Sequence, residues 1–441
     1  MTSNNFLLES QNIHFGEIES AIRSLLLDGI DVRLTPISRN RALLPSHIID
    51  AIALQYKVDP WSFLKFKGIS FTSAARITDD YALALLTHRA PSELDSRAGF
   101  TGVVALTEAN WHLKAVNAPL AWNLLGGVDQ LQWRCKVGQI DTGYMRHPAL
   151  GFNTTAGTWI DETNSANFFS PDTNTNRDPG PANGEDSLTG PSWGHGTRIG
   201  ASISGYAPNA TGGAFFGGAP KVPHTIVRIS DTVWINGEQI ALAKAIMHLV
   251  DVVKVDAINL SMGIAFGVLT KSVKAALNHA YESGVIFICA GGQHVPAVVA
   301  PACLPRTIAV GGTTFRGQIW ANTSRGPEID WSAPAADIRR ATRERQNAQF
   351  SYETRGDGTS YATALTTSAA ALWLTYRHDE ISKKYQKSWQ RVAAFKKIGR
   401  QTALRPVVWG DDIAGSGILD IHALLQAQLP DLPSLDKESS L

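Results

Sequence analysis

Between residues 130 and 312 the chain alternates short β-rich apolar runs with longer amphipathic ones, a rhythm that few folds accept. The short runs are "WRCKVGQID" (133–141), "HTIVRIS" (224–230), "VDAINLSMG" (255–263), "GVIFICAGG" (284–292) and "RTIAVGG" (306–312). Strands this apolar are expected to be buried on both faces, as in a parallel sheet. Between them, "EQIALAKAIMHLVDVV" places Ile240, Ala243, Met247 and Val250 at helical spacing, and "LTKSVKAALNHAYESG" stops on Gly284. Both read as crossover helices. Right-handed crossovers put such helices on both faces of one sheet and leave the carboxyl ends of the strands for ligands. The expected fold class is therefore α/β, a twisted, mainly parallel sheet with helices on both faces.

Residues 1–107 read differently. "FGEIESAIRSLLLDG" (15–29), "PSHIIDAIALQY" (45–56) and "DDYALALLTHRA" (79–90) have helical patterns, and "APSELDSRAGFTG" (90–102) resembles a linker. A small helical or mixed domain is expected here, ahead of a main domain over 108–428. The closing "LPDLPSLDKESSL" (429–441) reads as a frayed polar tail.

Composition narrows the function classes. With 40 basic and 39 acidic residues the formal charge is +1, and no basic run points to nucleic acid. The first twenty residues lack the basic and apolar regions of a secretory signal, and no apolar run reaches 18 residues, so neither export nor a membrane partner is expected. A cytoplasmic location is the reading that follows. Cys135, Cys289 and Cys303 are too few and too scattered for a disulfide framework or a zinc site, and read as buried thiols.

Three polar residues stand where apolar strands end or helices begin. Asp141 follows the first core strand in "GQIDTGY", His195 lies between glycines in "SWGHGTRIGASISG", and Ser360 opens an alanine-rich helical run in "GDGTSYATALTTSAAALWL". Each alone has an ordinary explanation: a turn residue, a structural histidine, a helix cap. Together they supply an acid, a base and a nucleophile, each in a glycine-bearing turn.

The motifs around them make the order specific. "IDTGYMRHPAL", "GHGTRIGASISG" and "DGTSYATA" resemble the three active-site motifs of the subtilisin-like serine proteases (subtilases, peptidase family S8). "WHLKAVNAPLAW", "GGAPKVPHTIVRIS", "AINLSMG", "RTIAVGGTT", "NTSRGPEIDWSAP" and "GSGILDIHALL" continue the resemblance over roughly residues 108–428. It implies a subtilisin-like α/β fold and a serine endopeptidase acting on protein or peptide substrates; separately from the resemblance, no cofactor and no metal site are expected. In that chemistry His195 takes the Ser360 proton, Asp141 fixes the imidazole tautomer, and an acyl-enzyme forms. Gln293 and the Ser360 N–H would form the oxyanion hole, while Ser261, Met262, Gly263, Ala290, Gly291 and Gly292 would line the substrate groove.

Three positions depart from the family pattern. Gln293, in "CAGGQHV", stands where the family has asparagine, and its extra methylene moves the amide by about one bond length within a useful donor range of roughly 2.7–3.1 Å. Ala364 replaces a proline inside the nucleophile helix, and Ile264 replaces a glycine beside the groove. A pseudoprotease that binds without turnover is the alternative these departures raise, and an enzyme exported by another route is a third reading. "DTNTNRDPG" starts like a calcium loop with Asp172, Asn174 and Asn176, but Arg177 and Asn183 replace its glycine and glutamate, and a polar turn is the better reading. Residues 1–107 occupy the place of a prosegment or of an adaptor for a regulatory partner. Their linker favours a regulatory domain that stays attached.

Overall fold

The computed structural model describes residues 5–9, 35–38, 41–45 and 73–77 and, from Asn110 to Leu441, all but 172–176, 266–267, 345–348, 407–408 and 410–412. The chain separates into two compact units with the break after Gly99.

In the first unit the strands β1 (Asn5–Glu9), β2 (Thr35–Ser38), β3 (Arg41–Pro45) and β4 (Ser73–Ile77) form an antiparallel sheet in the order β2-β3-β1-β4. The described residues of this region are therefore all in strands. The helical patterns at 15–29 and 79–90, that at 45–56 beyond Pro45, and the linker at 90–102 lie outside the described residues.

The second unit opens with two short helices, α1 (Trp111–Ala115) and α2 (Ala118–Leu124). The strand β5 (Val137–Asp141) then enters the middle of a seven-stranded parallel sheet. Edge strand β6 (Ala166–Asn167), helix α3 (His195–Ser204), the small ribbon β7 (Tyr206–Ala207) and β8 (Phe215–Phe216), and strand β9 (His224–Arg228) follow. Next come helix α4 (Gln239–Met247), which widens into a π-helical turn over His248–Val253, and strand β10 (Ala257–Leu260). Helix α5 (Lys271–Glu282) leads to β11 (Ile286–Ala290), β12 (Ile308–Thr313) and β13 (Ile329–Pro334). A hairpin of β14 (Ile338–Arg343) and β15 (Phe350–Gly356) precedes the long helix α6 (Thr359–Tyr376), and α7 (His378–Lys384), α8 (Ser388–Thr402) and α9 (Ile421–Gln426) complete the unit.

The large sheet runs β13-β12-β11-β10-β5-β9-β6. From β5 the chain goes to β9 on one side and then to β10 on the other, so the order reverses at β5, and crevices form at such switch points. The five apolar runs read from the sequence became β5, β9, β10, β11 and β12, and helix α5 ends before Gly284, whose φ of 82° lets the chain leave the helix.

The period of two along each strand sorts side chains between two cores. Val137, Ala257, Ile286, Ile288, Ile308 and Val310 pack with Ile199 of α3 and with Ala362, Leu365 and Ala369 of α6. Their neighbours Ile140, Ile258, Leu260, Phe287, Cys289 and Ala309 pack on the other face with Leu242 and Ile246 of α4 and Val273 and Leu277 of α5. Both faces are therefore covered, as a parallel sheet requires.

The end of the chain corrects one expectation. Residues 429–441 are docked: Leu435 is buried, the Glu438 N–H donates to the Tyr281 hydroxyl (3.1 Å), and Arg306 donates to the carbonyls of Glu438 (2.9 Å) and Ser439 (2.9 Å). The polar side chains of "DKESS" suggested fraying, but it is the backbone that Arg306 reads. Among the described residues no helix is long and apolar enough to cross a membrane, and no group of three or more His, Cys, Asp or Glu is placed to hold a metal ion. Residues 172–176, and with them the candidate calcium ligands Asp172, Asn174 and Asn176, lie outside the described residues. Arg177 pairs with Asp231 (2.5 Å) and Glu238 (2.8 Å).

Candidate active site

Asp141 is the last residue of β5, at the switch point, and is fully buried. Its Oδ1 accepts from the Thr142 N–H (2.7 Å) and lies 2.7 Å from His195 Nδ1. His195 is the first residue of α3, whose cap, Gly194, has φ 71°. The helix comes so close to the β5 loop that a Cβ on Gly196 would sit 1.9 Å from the Gly143 carbonyl oxygen, which only glycine avoids. Ser360, in the first turn of α6, places Oγ 3.2 Å from His195 Nε2 and 3.3 Å from the carbonyl oxygen of Ser261. The three residues picked from separate motifs thus form one unbroken chain of contacts.

Helix α6 starts after Gly358, whose φ of 150° is a region side chains rarely adopt. The Gln293 Oε1 accepts from the Thr359 N–H at 2.8 Å. That bond fixes the amide orientation, and among the described residues Nε2 has no hydrogen-bond acceptor. Ser360 N–H belongs to the first helical turn, where no carbonyl four residues back is available within the helix.

The expected groove residues also come together, but their backbone is already engaged. Ser261, Met262 and Gly263 continue beyond β10, beside Ala290, Gly291 and Gly292 at the end of β11. The Gly263 N–H donates to Val233 O (3.0 Å) and its carbonyl accepts from the Ile235 N–H (3.0 Å). Ile264 exchanges two hydrogen bonds with Ala300, and Gly291 donates to Val310 and accepts from Val299. The Val299 methyls fill the crevice between the two segments. A Cβ on Gly263 would lie 2.7 Å from one of them, and a Cβ on Gly292 2.8 Å from the other.

Several supporting residues carried no signal in the sequence. Asp186 accepts from the Gly194 N–H (2.6 Å), the Leu188 N–H (2.8 Å) and the Thr142 hydroxyl (3.2 Å), anchoring the loop that delivers His195. Burial pushes its carboxyl above the ordinary range in spite of those donors. Fully buried Arg228 of β9 donates to the Thr142 carbonyl (2.6 Å) and so fixes the turn after Asp141. Asn259 donates to the Ser261 hydroxyl (3.0 Å), which in turn donates to the Ser360 carbonyl (3.1 Å). Gln139, two residues before Asp141, has the sequence context of an ordinary strand residue, and its amide donates to Asp141 Oδ2 (3.1 Å). A polar residue inside an apolar run is the one trace such groups leave in a sequence.

The family model of the subtilase family matches residues 134–410, more than half of the chain. The major intracellular serine protease of Bacillus subtilis strain 168 is 26% identical over 236 residues, which cover 52% of this chain and 68% of that protein. The minor extracellular protease Epr of the same organism is 30% identical over 181 residues, 41% of this chain and 26% of that one. The chain thus spans about two thirds of the first relative and about a quarter of the second. Among solved structures, MycP1 from the ESX-1 type VII secretion system shares the fold with a TM-score of 0.56 at 20% identity, covering 78% of this chain and 91% of that one. The chain belongs to the subtilase family, the subtilisin-like serine endopeptidases.

Proposed function

We propose that the protein hydrolyses peptide bonds through an acyl-enzyme formed on Ser360. The observation that carries this reading is the unbroken contact chain Asp141–His195–Ser360, at 2.7 and 3.2 Å, ending on a helix N-terminus. With the Asp141 carboxylate holding Nδ1–H, the lone pair of His195 Nε2 faces the Ser360 hydroxyl. Attack forms the Oγ–C bond while His195 takes the hydroxyl proton. That proton then passes to the leaving amine as the C–N bond breaks, and water repeats the sequence to release the acid. The Ser360 N–H, the α6 dipole and the Gln293 amide favour the oxyanion.

The filled crevice between Ser261–Gly263 and Ala290–Gly292 bears on the substrate. Because the Val299 methyls occupy that crevice, only a small residue is expected to precede the scissile bond. With Gly263 already paired, less backbone is free to hold an extended substrate strand. Limited proteolysis of selected protein or peptide partners fits these constraints better than general degradation. A cytoplasmic site of action is compatible with the likeness to an intracellular protease. Residues 1–107 are proposed to stay attached as a regulatory domain. Intact-mass spectrometry of wild type and Ser360→Ala checks this, since Ser360-dependent cleavage between about residues 90 and 110 would overturn it.

The central test is covalent labelling. A fluorophosphonate probe should modify Ser360 in the wild type and fail on Ser360→Ala and His195→Ala. No labelling of folded wild type would make the protein a binding member of its family. Labelling that survives Ser360→Ala would move the nucleophile elsewhere.

A further inference from the structure

We propose that Gln139 is a positioning residue of the triad, its side-chain amide holding the Asp141 oxygen that His195 does not use and tying it to the first turn of α3. The inference rests on the reading of Ser360 as the nucleophile. Gln139 lies in the middle of β5, fully buried, between strands β9 and β10. Alternation along the strand turns Val137, Gln139 and Asp141 to the face covered by α3. An aliphatic side chain is the ordinary occupant of such a position.

Both N–H groups of the amide are used. Nε2 donates to Asp141 Oδ2 at 3.1 Å and to the Gly196 carbonyl at 2.9 Å. The opposite amide orientation would press Oε1 against a carboxylate and a carbonyl, so the chemistry of the two acceptors fixes which end faces them. Asp141 Oδ1 already serves His195 and the Thr142 N–H, and the Gln139 amide reaches the other oxygen. A carboxylate held at both oxygens cannot turn about its terminal bond.

The second bond extends the effect to the histidine. Gly196 follows His195 directly. Its N–H donates to the Thr142 hydroxyl (3.1 Å) and its carbonyl accepts from Gln139, so both polar groups of that residue are tied to β5 and the turn after it. One amide therefore sets the acid and the start of the helix that carries the base.

The other end of the amide shows what this arrangement costs. Gln139 Oε1 is buried with no hydrogen-bond partner among the described residues. It lies against Gly200 of α3, where a Cβ would approach it to 2.9 Å and would lie 3.6 Å from Cε1 of His224. His224 of β9 is neutral there, because burial pushes its imidazole down to about 3. An aliphatic residue would leave no orphaned carbonyl, so the benefit of this amide lies on its donor side.

The charged groups near the triad come from other elements and are untouched by a change at 139. They include Arg198 of α3 with Arg340 of β14 near it, Asp186 of the preceding loop and Arg228 of β9. Methionine at 139 keeps the length and removes the donors, and Gln139→Leu serves as a second apolar variant. The readouts are kcat and KM on a peptide substrate across pH, normalised to fluorophosphonate-labelled sites, alongside thermal melts.

Gln139→Met should lower kcat per labelled site by roughly 10-fold or more with KM nearly unchanged. The acid limb of kcat/KM should move to higher pH, because a carboxylate with one donor fewer favours the protonated imidazole more strongly. An unchanged kcat and acid limb per labelled site would overturn the proposal. So would a loss of activity that only tracks the loss of folded protein, or failure of both apolar variants to fold, since the amide would then serve the fold alone. Wild type that takes no label would instead sink the reading of Ser360, and this proposal with it.

Discussion

The two faces of the central sheet are built from the same strands and differ in what they bury. On the face of α4 and α5 the packed layer is formed by apolar side chains, with Ile258, Leu260 and Phe287 against Leu242, Leu249 and Leu277. On the face of α3 and α6 the strands offer Gln139, Asp141 and Asn259, and α6 buries Thr363, Thr366, Thr367 and Ser368. Asn259 Oδ1 accepts from the Thr367 hydroxyl at 3.1 Å, and the same asparagine reaches Ser261 beside the nucleophile. One face supplies burial energy, at about 25 cal/mol per Å² of apolar surface. The other spends part of that stability on polar groups whose positions matter more than their net energy. Substitutions on the two faces should therefore fail in different ways.

The largest effect is expected on the polar face. Ser360→Ala should reduce turnover by at least roughly 10⁴-fold while leaving the thermal midpoint within a few degrees, since only one hydroxyl is lost. Residual activity within 10-fold of wild type would place the nucleophile elsewhere. Gln293→Ala comes next. Losing an oxyanion donor costs about 10²–10³-fold in kcat with little change in KM. Equal kinetics would mean that the amide only caps α6 through Thr359, whose N–H and hydroxyl both donate to its Oε1. Gln293→Asn sharpens the comparison, because it keeps the donor and shortens the reach.

On the apolar face the expected loss is of stability alone. Leu249 is fully buried, and its methyls lie where a Cβ on Gly138 of β5 would come within 2.9 Å, so it packs directly on the central strand. Leu249→Ala should cost about 2–5 kcal/mol in denaturant unfolding. Kcat per labelled site should stay near the wild-type value. A kinetic defect per labelled site as large as that of Gln293→Ala would show that the two faces are not independent.

This division explains how far the sequence could be read. Apolar runs define strands and glycine-bearing turns mark their ends, so β5, β9, β10, β11 and β12 follow from local pattern, while Asp141, His195 and Ser360 stand out through the resemblance of their motifs to those of the subtilases. Contacts made across the sheet leave no such pattern. Gln139 sits in "KVGQID" like any polar residue of a half-exposed strand, and only the approach of Gly196 turns its amide into a partner of Asp141. Arg228, inside "HTIVRIS", looks like a strand edge until the Thr142 carbonyl is found against it. The docked end shows a related limit: Arg306 binds the backbone at 438 and 439 and Lys437 pairs with Glu282 (2.8 Å), contacts with residues far away in the sequence. The β14–β15 hairpin has no clear sequence signal, because the charged residues of "IRRATR" follow no strict period.

The smallest expected effect concerns Asp357, three residues before the nucleophile and on the polar side of the comparison. Its Oδ1 accepts from the Asp337 N–H at 2.8 Å, yet burial, against that bond, raises its carboxyl from 3.8 to about 6, with the Asp337 charge adding to the rise. A carboxyl that holds its proton more tightly when folded disfavours folding once it ionises, so stability should decline as pH climbs from about 4 to about 6 and stay lower above that. At 1.36 kcal/mol per unit the penalty is at most about 3 kcal/mol, and screening at a partly exposed site brings the expectation to about 1–2. Asp357→Asn keeps the acceptor for Asp337 and removes the charge. It should raise the thermal midpoint by a few degrees at pH 7 and leave it unchanged at pH 4. A gain of equal size at both pH values would trace to packing, and a loss at pH 7 would mean that the ionised carboxylate is stabilised by the start of α6, placing Asp357 among the groups that hold Ser360 in position.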